Sequence, residues 1–485
     1  MDATEKKGSR LIDKIVRFQL SGAYPVFFAI FCAISGLGSK YVYLPVIAIL
    51  AISILFSVFF VKDNRVFLTP VLMIYYSMGT DKSQAFFDSN GNVLAAFDRD
   101  GFRGICVLAA VIVVPFVIRF IVDGSFALAF KHKSFLLYGI LALDAAILLG
   151  GAFSEHWTPK NLFYALILVA GLNFFFIIVS SIIKKADGDI IEYTCRILVI
   201  TCLMISVQVL FVAINAAAQG ELIYFDTAMD RWVIQRLLFY FSWGIPTLIG
   251  AITAIGIPAA LYLAKNERFP LFYYICAIIF FGISIVVNTR SAMIIGALFL
   301  IVGAIIISCC GKNKRINLIF SLTLFVVFLF AAVAACVIMR QTGVLEQKLI
   351  ALARFFRLDM ISDRISLYQS GLNDFLGAPL FGVGYEKGSS HTGIMANNFF
   401  SNMYHCVIIQ MGASSGIVGL AAFIFHIKDI LLLCFKRFSL DRLLLLSVPV
   451  MILCMSLFDN FFFYLNFQIP YVTFLLLANK HAEMQ

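Results

Sequence analysis

Apolar runs long enough to cross a bilayer recur along nearly the whole chain, and no fold with an aqueous surface can absorb them. A hydrocarbon core about 30 Å thick takes about 20 apolar residues per helix. Candidate runs fall at 22–38, 41–61, 66–79, 104–122, 134–153, 161–183 and 198–218, and then at 237–264, 271–287, 291–307, 318–339, 407–427, 443–457 and 461–477. About fourteen such helices would use roughly 280 residues and leave roughly 200 for loops and tails. The composition agrees, with 62% apolar residues, 13% charged and a mean hydropathy of +0.97. Soluble domains average roughly 45–50% apolar and about 25% charged. A secreted enzyme, a nucleic-acid-binding domain and a disordered scaffold are excluded. The expected class is an all-α polytopic integral membrane protein with about 14 transmembrane helices and one large extracytoplasmic loop.

The net charge of +10 is a topology signal. Lys and Arg collect on the cytoplasmic side of membrane helices. Lys6, Lys7, Arg10, Lys14 and Arg17 precede the first run. Lys62 and Arg65, Lys131 and Lys133, Lys184 and Lys185, Lys265 and Arg268, Lys312 to Arg315, and Lys428, Lys436 and Arg437 then mark every second loop. The intervening segment 81–103 is acidic through Asp81, Asp88, Asp98 and Asp100, and Trp157, Trp232 and Trp243 fall near the outer interface. The alternation predicts both termini in the cytoplasm. A basic start followed by an apolar stretch imitates a signal peptide, but the next run begins at once, so a retained first helix is expected. The eleven cysteines form no CxxC pair and the six histidines have no metal-ligand spacing, so neither a metal nor another cofactor is indicated.

Polar sequence is concentrated in one outer loop of about 65 residues, 340–404. Loops beyond about 15 residues tend to be functional. Its first half has apolar residues at Leu345, Leu349, Leu352, Phe356, Met360 and Tyr368, which suits an amphipathic helix. On it Arg354, Arg357 and Arg364 form a basic ridge for an anionic head group or for solvent. Arginine suits phosphate because its planar fork donates two parallel hydrogen bonds. The second half, Gly377-Ala-Pro-Leu-Phe-Gly-Val-Gly-Tyr385, reads as a turn whose glycines admit a ligand close to the backbone. The loop closes at Tyr404 and His405, ahead of a run containing Gly412, Gly416 and Gly419. Those glycines permit close approach of a neighbouring helix or a lipid chain.

Arg364, Pro379-Leu-Phe-Gly-Val-Gly384, His405 and Gly416-Ile-Val-Gly-Leu420 stand in the order of the signature region of the O-antigen ligase/polymerase superfamily, which this stretch resembles. Asn288-Thr-Arg-Ser-Ala292 resembles that family's Ser-Arg-Ser segment at the outer end of a helix. The match covers about 60 residues plus the short upstream piece. Two departures stand out: Cys406 replaces the usual Asn after the histidine, and Ser414 replaces a common acidic residue. Asn397, Asn398 and Asn402 are the nearby amides that could substitute for the missing Asn.

The resemblance implies a GT-C-like membrane glycosyltransferase of the bacterial inner membrane. It would act without a cofactor on undecaprenyl-diphosphate-linked glycans, among membrane lipids, with a flippase and a chain-length regulator as partner proteins and no nucleic acid. By that analogy His405 is the catalytic base toward a sugar hydroxyl, and Arg290 and Arg364 bind the donor diphosphate. Arg231, Arg236, Arg357, Tyr385 and His391 are candidate lining for the substrate groove. The expected division is 1–339 for the first helices, 340–405 for the loop and 406–485 for the last helices and the C-terminus. Polymerase and ligase share this chemistry and differ in acceptor; polymerisation is the leading reading. A flippase is the alternative from another class. Asp144, a carboxylate inside the fifth run, is costly in a membrane and has no place in this scheme; it would be either neutralised or paired with a buried polar group on another helix.

Overall fold

The computed structural model describes residues 3–37, 40–77, 113–125, 135–155, 157–186, 189–226, 231–234, 236–239, 241, 244–310, 314–323, 326, 362–385, 404–435 and 438–484. Its helices are α1 (Ala3–Leu20), α2 (Ala23–Leu37), α3 (Lys40–Phe60), α4 (Leu68–Met73), α5 (Val113–Val122), α6 (Phe135–Leu148), α7 (Pro159–Lys185) and α8 (Ile190–Ala218). They continue with α9 (Pro246–Ala254), α10 (Gly256–Asn266), α11 (Pro270–Val286), α12 (Arg290–Cys310), α13 over residues 314–323, α14 (Ser362–Gly377), α15 (Val407–Phe435), α16 (Leu440–Ser456) and α17 (Leu465–Met484). Among the described residues, the exception to the helical class is a hairpin after α8, in which β1 (Ile223–Asp226) pairs antiparallel with β2 (Arg231–Ile234).

This is a helical membrane protein. Among the described residues, five helices are long and apolar enough to cross a bilayer, and a sixth span arises if α1 and α2 count as one bent pair. The outer surfaces are those of a bundle solvated by lipid. On α12, Ile294, Leu298, Ile301 and Ile305 recur at three- and four-residue steps and are each about half exposed. Inside, α6 lies along α15, α10 along α11, and α16 along α17.

Several apolar runs are not single straight spans. The third expected run is a short helix, α4, between two 3-10 turns, Asn64–Phe67 and Ile74–Ser77. Its side chains Val66, Phe67, Leu68 and Met73 are buried in protein, where irregular backbone at membrane depth is tolerated. The run at 237–264 divides into α9 and α10 at Ile255. Pro258 explains the break, because its ring displaces the carbonyl of Ala254 and offers no N–H to it. The basic N-terminal segment is itself a helix, α1, bent by 82° from α2. It presents Lys14 and Arg17 on one face and Ile12, Ile15 and Val16 on the other. A helix so divided has the amphipathic character that suits the membrane interface.

Asp144 is buried on α6, and Asn173 of α7 donates to its Oδ2 at 2.6 Å. The costly carboxylate therefore pairs with a polar group of the next helix, one of the two outcomes expected for it. Asn173→Leu removes that donor and strands a buried acceptor, so it should destabilise the protein by about 1–3 kcal/mol. The check is the thermal midpoint of purified protein in detergent, which falls for Asn173→Leu and stays close to the wild-type value for Asn173→Gln.

Candidate functional site

The break in α15 organises one end of the bundle. The helix starts at Val407 and is interrupted at Gly416, whose φ of 64° and ψ of −155° lie outside the helical range. The break falls roughly 14 Å along the axis from its start. An unbroken helix would join the Ile417 N–H to the Ala413 carbonyl and the Val418 N–H to the Ser414 carbonyl. Here all four groups turn to the glycine turn instead. Val383 N–H donates to Ala413 O at 2.8 Å and Gly384 N–H to Ser414 O at 3.1 Å. In return Ile417 N–H reaches Pro379 O at 2.8 Å and Val418 N–H reaches Leu380 O at 3.3 Å. Buried backbone groups must be paired, and turn and break supply each other's partners.

This contact corrects the expectation that the turn opens its glycines to a ligand. A Cβ on Gly382 would lie 2.4 Å from the Ser414 carbonyl carbon, and one on Gly416 would lie 2.4 Å from the Leu380 carbonyl carbon. The glycines bring two stretches of backbone of the same chain together. Gly151, at the end of α6, joins them by donating to Phe381 O at 2.8 Å. Tyr385 follows the same logic. It is buried rather than lining a groove, its hydroxyl 2.9 Å from Ser415 Oγ and 3.6 Å from Met411 Sδ.

Above the break the chain places His405. Its backbone is in the left-handed region at φ 53°, a conformation costing a non-glycine residue of order 1–3 kcal/mol. It persists because the residues on both sides are held. Tyr404 is buried, its hydroxyl donating to Asp374 Oδ2 of α14 at 2.6 Å and its N–H to Gln410 Oε1 at 3.0 Å. Burial and the neighbouring Asp374 both push the Tyr404 phenol above its ordinary range. Gln410 also accepts from Asn460 Nδ2 at 3.2 Å and donates to Ser414 Oγ at 2.8 Å, tying the histidine segment to the helix break.

So held, His405 Nδ1 lies 3.0 Å from Asp459 Oδ1. Asp459 sits in the turn after α16, where Asn460 N–H donates to the same oxygen at 2.7 Å. With Nδ1 engaged by the carboxylate, Nε2 is the ring nitrogen left outside this contact. The carboxylate side chain is 11% exposed and the imidazole 37%, so the partner is sheltered while the ring remains accessible. Burial pushes the Asp459 carboxyl up, but the His405 hydrogen bond and charge, the Asn460 amide and the Arg364 charge outweigh it. The carboxyl is held below its ordinary range.

Arg364, in the first turn of α14, donates from Nη1 to the Phe458 carbonyl, one residue before Asp459. The structure therefore brings Arg364 and His405 together, joined through the 458–460 turn. Arg290 is exposed at the first position of α12. Because α12 packs on α16 and runs opposite to it, Arg290 lies at the same end of the bundle as Asp459. Arg231 and Arg236 fall on β2 and on the 3-10 turn Arg236–Phe239. Arg357, His391, Asn397, Asn398 and Asn402 lie outside the described residues, as does Arg354. Sequence reasoning missed Asp459 and Gln410. The available signal for the first was Phe458-Asp459-Asn460, a polar pair in the three-residue gap between the last two apolar runs. Among the described residues no group of three or more His, Cys, Asp or Glu side chains could hold a metal ion.

Two outcomes follow. Gly416→Ala forces a Cβ into the Leu380 backbone in a left-handed conformation, costing at least about 1–2 kcal/mol. Thermal unfolding in detergent should register that loss, while Gly377→Ala, with open space around it, should not. The second concerns pH. Asp459 ionises more readily folded than unfolded, so its stabilisation is complete above the unfolded value of about 3.9 and is lost as pH falls through the lower folded value. Thermal midpoints below about pH 4 should fall more steeply for wild type than for Asp459→Asn.

Residues 274–424 match the family model described as O-antigen ligase. No curated protein matches the chain. The matched segment contains Arg290, Arg364, the glycine turn, His405 and the break at Gly416, while Asp459 lies beyond it. This segment is therefore similar to the O-antigen ligase family, in agreement with the resemblance that its motifs carry.

Proposed function

We propose that this chain is a membrane glycosyltransferase that polymerises undecaprenyl-diphosphate-linked repeat units into O-antigen, capsule or exopolysaccharide on the outer face of the bacterial cytoplasmic membrane. The observation that carries the reading is the contact of His405 with Asp459 beside Arg364, within or next to the O-antigen ligase segment. A sugar hydroxyl has a high pKa and gains from a neutral imidazole that accepts its proton as the new bond forms. Asp459 orients that imidazole and stabilises the imidazolium. A departing diphosphate gains from fixed positive charge, and Arg364 and Arg290 supply it from one end of the bundle. The oxygen of the acceptor sugar attacks the anomeric carbon, the bond to the diphosphate breaks, and the hydroxyl proton passes to His405 Nε2.

In this reading both termini are cytoplasmic. The bundle of residues 1–339, the loop 340–405 and the closing helices 406–485 together enclose the site, with Arg231, Arg236, Arg357 and His391 along the groove. A flippase and a chain-length regulator would be its partners. Ligation onto lipid A core or onto protein uses the same donor chemistry and is the second reading. A flippase is less favoured on a specific ground. Transporters use the freed backbone of broken helices to hold substrate and ions, whereas the four groups freed at Gly416 are spent on the glycine turn.

His405→Ala and Arg364→Ala should insert and fold as wild type and lose chain extension by about 100-fold or more. Asp459→Asn should lose less than His405→Ala. Surface glycan resolved on a gel is the readout, and normal polymer lengths for His405→Ala would sink the assignment. Deleting the gene separates the two enzyme readings. Single repeat units on the acceptor mark a lost polymerase, and lipid-linked polymer beside an unmodified acceptor marks a lost ligase.

A further inference from the structure

The far end of the bundle carries a cavity of ≈ 220 Å³. Its position follows from α16. Asp441, at the start of that helix, pairs with Lys265 at 2.7 Å, and Glu267 two residues on pairs with Arg196 on the cavity wall. Asp459 follows the other end of the same 17-residue helix, roughly 25 Å away. The cavity lies at the bend between α1 and α2 and is lined by Leu20, Gly22, Pro25, Tyr193 and Ile200, together with Arg65, Asp189, Glu192 and Arg196. An amphipathic helix such as α1 rests at head-group level, so the cavity at its end lies at that depth, in the leaflet opposite the His405 site.

The charges around it select the occupant. Arg65 is paired through Nε with Asp63 at 2.8 Å and lies over the Tyr193 ring, its guanidinium carbon 5.6 Å from the centroid. Arg196 uses Nε and Nη2 on Glu267 and Glu192. Among the described residues, the Nη groups of Arg65 and Nη1 of Arg196 have no hydrogen-bond partner, and Asp189 commits only Oδ1, to the N–H groups of Ile191 and Glu192. Two guanidiniums thus meet four carboxylates, Asp189 and Glu192 on the cavity wall and Asp63 and Glu267 behind the arginines, with the Lys480 ammonium near Asp189. A purely anionic group would meet excess negative charge, and a simple cation would leave the guanidinium N–H groups unused. A group carrying a phosphate and a primary ammonium satisfies both, and the apolar wall of Leu20, Pro25 and Ile200 suits the glyceride end of such a molecule.

We infer that this cavity seats the head group of an aminophospholipid, its phosphate on Arg65 and Arg196 and its ammonium between Asp189 and Glu192. The site is independent of the glycan chemistry at the other end. The test is native mass spectrometry of the purified full-length protein in detergent, titrated with phosphatidylethanolamine, phosphatidylcholine or phosphatidylglycerol of identical acyl chains. The ethanolamine lipid should bind about tenfold more tightly than the choline lipid, which lacks N–H donors for the carboxylates, and the glycerol lipid should be no better than choline. Glu192→Gln should reduce the ethanolamine preference toward unity and leave choline binding as it was. Asp189→Asn, which keeps the helix cap, should act in the same direction. Equal binding of all three lipids, tightest binding of the glycerol lipid, or an unchanged preference in a folded Glu192→Gln would overturn the proposal. If both variants misfold, the ranking of lipids by the unaltered protein decides.

Discussion

The exchange of hydrogen bonds between the glycine turn and the break in α15 is the constraint on which the candidate site depends. A helix interrupted inside a bundle leaves backbone donors and acceptors that water cannot reach, each costing several kcal/mol if left unpaired. The turn at 379–384 answers all four, and it does so only because Gly382 and Gly416 let the two backbones meet. Once they are joined, the segment before α15 has a fixed starting point. Gln410 and Tyr404 then carry that rigidity outward to His405.

The same economy explains why His405 tolerates a left-handed backbone. The conformation is unfavourable alone, but buried Tyr404 on one side and α15 on the other overdetermine it. The result is an imidazole aimed at a sheltered carboxylate, with Arg364 anchored to the adjacent turn. The absent Asn at Cys406 is therefore no obstacle to orienting the ring, because the orienting group comes from the turn after α16. The two ends of the bundle also differ in kind. One gathers an accessible imidazole and arginines, while the other holds guanidiniums outnumbered by carboxylates beside the bend between α1 and α2.

Much was legible without coordinates where the information is local. Apolar run length set the membrane class, whereas 237–264 reads as one run and its break before Pro258 came only from the structure. The order of Arg364, the glycine turn, His405 and Gly416 pointed to the family whose model matches residues 274–424. What was misread was misread for one reason. Glycines and a tyrosine in a polar loop look the same whether they face a ligand or the chain's own backbone. Here Gly382 and Tyr385 face the backbone and side chains of α15.

The amino-acid sequence by itself determined that this chain lives in a bilayer, and it marked the stretch that holds most residues of the candidate site, because hydropathy and motif order are properties of neighbouring residues. Only the tertiary structure decided that Asp459, 54 positions from His405, is its partner, and that two glycine motifs some 30 residues apart complete one another. Hydrogen-bond pairing between distant segments follows from how helices pack, and no local spacing encodes it.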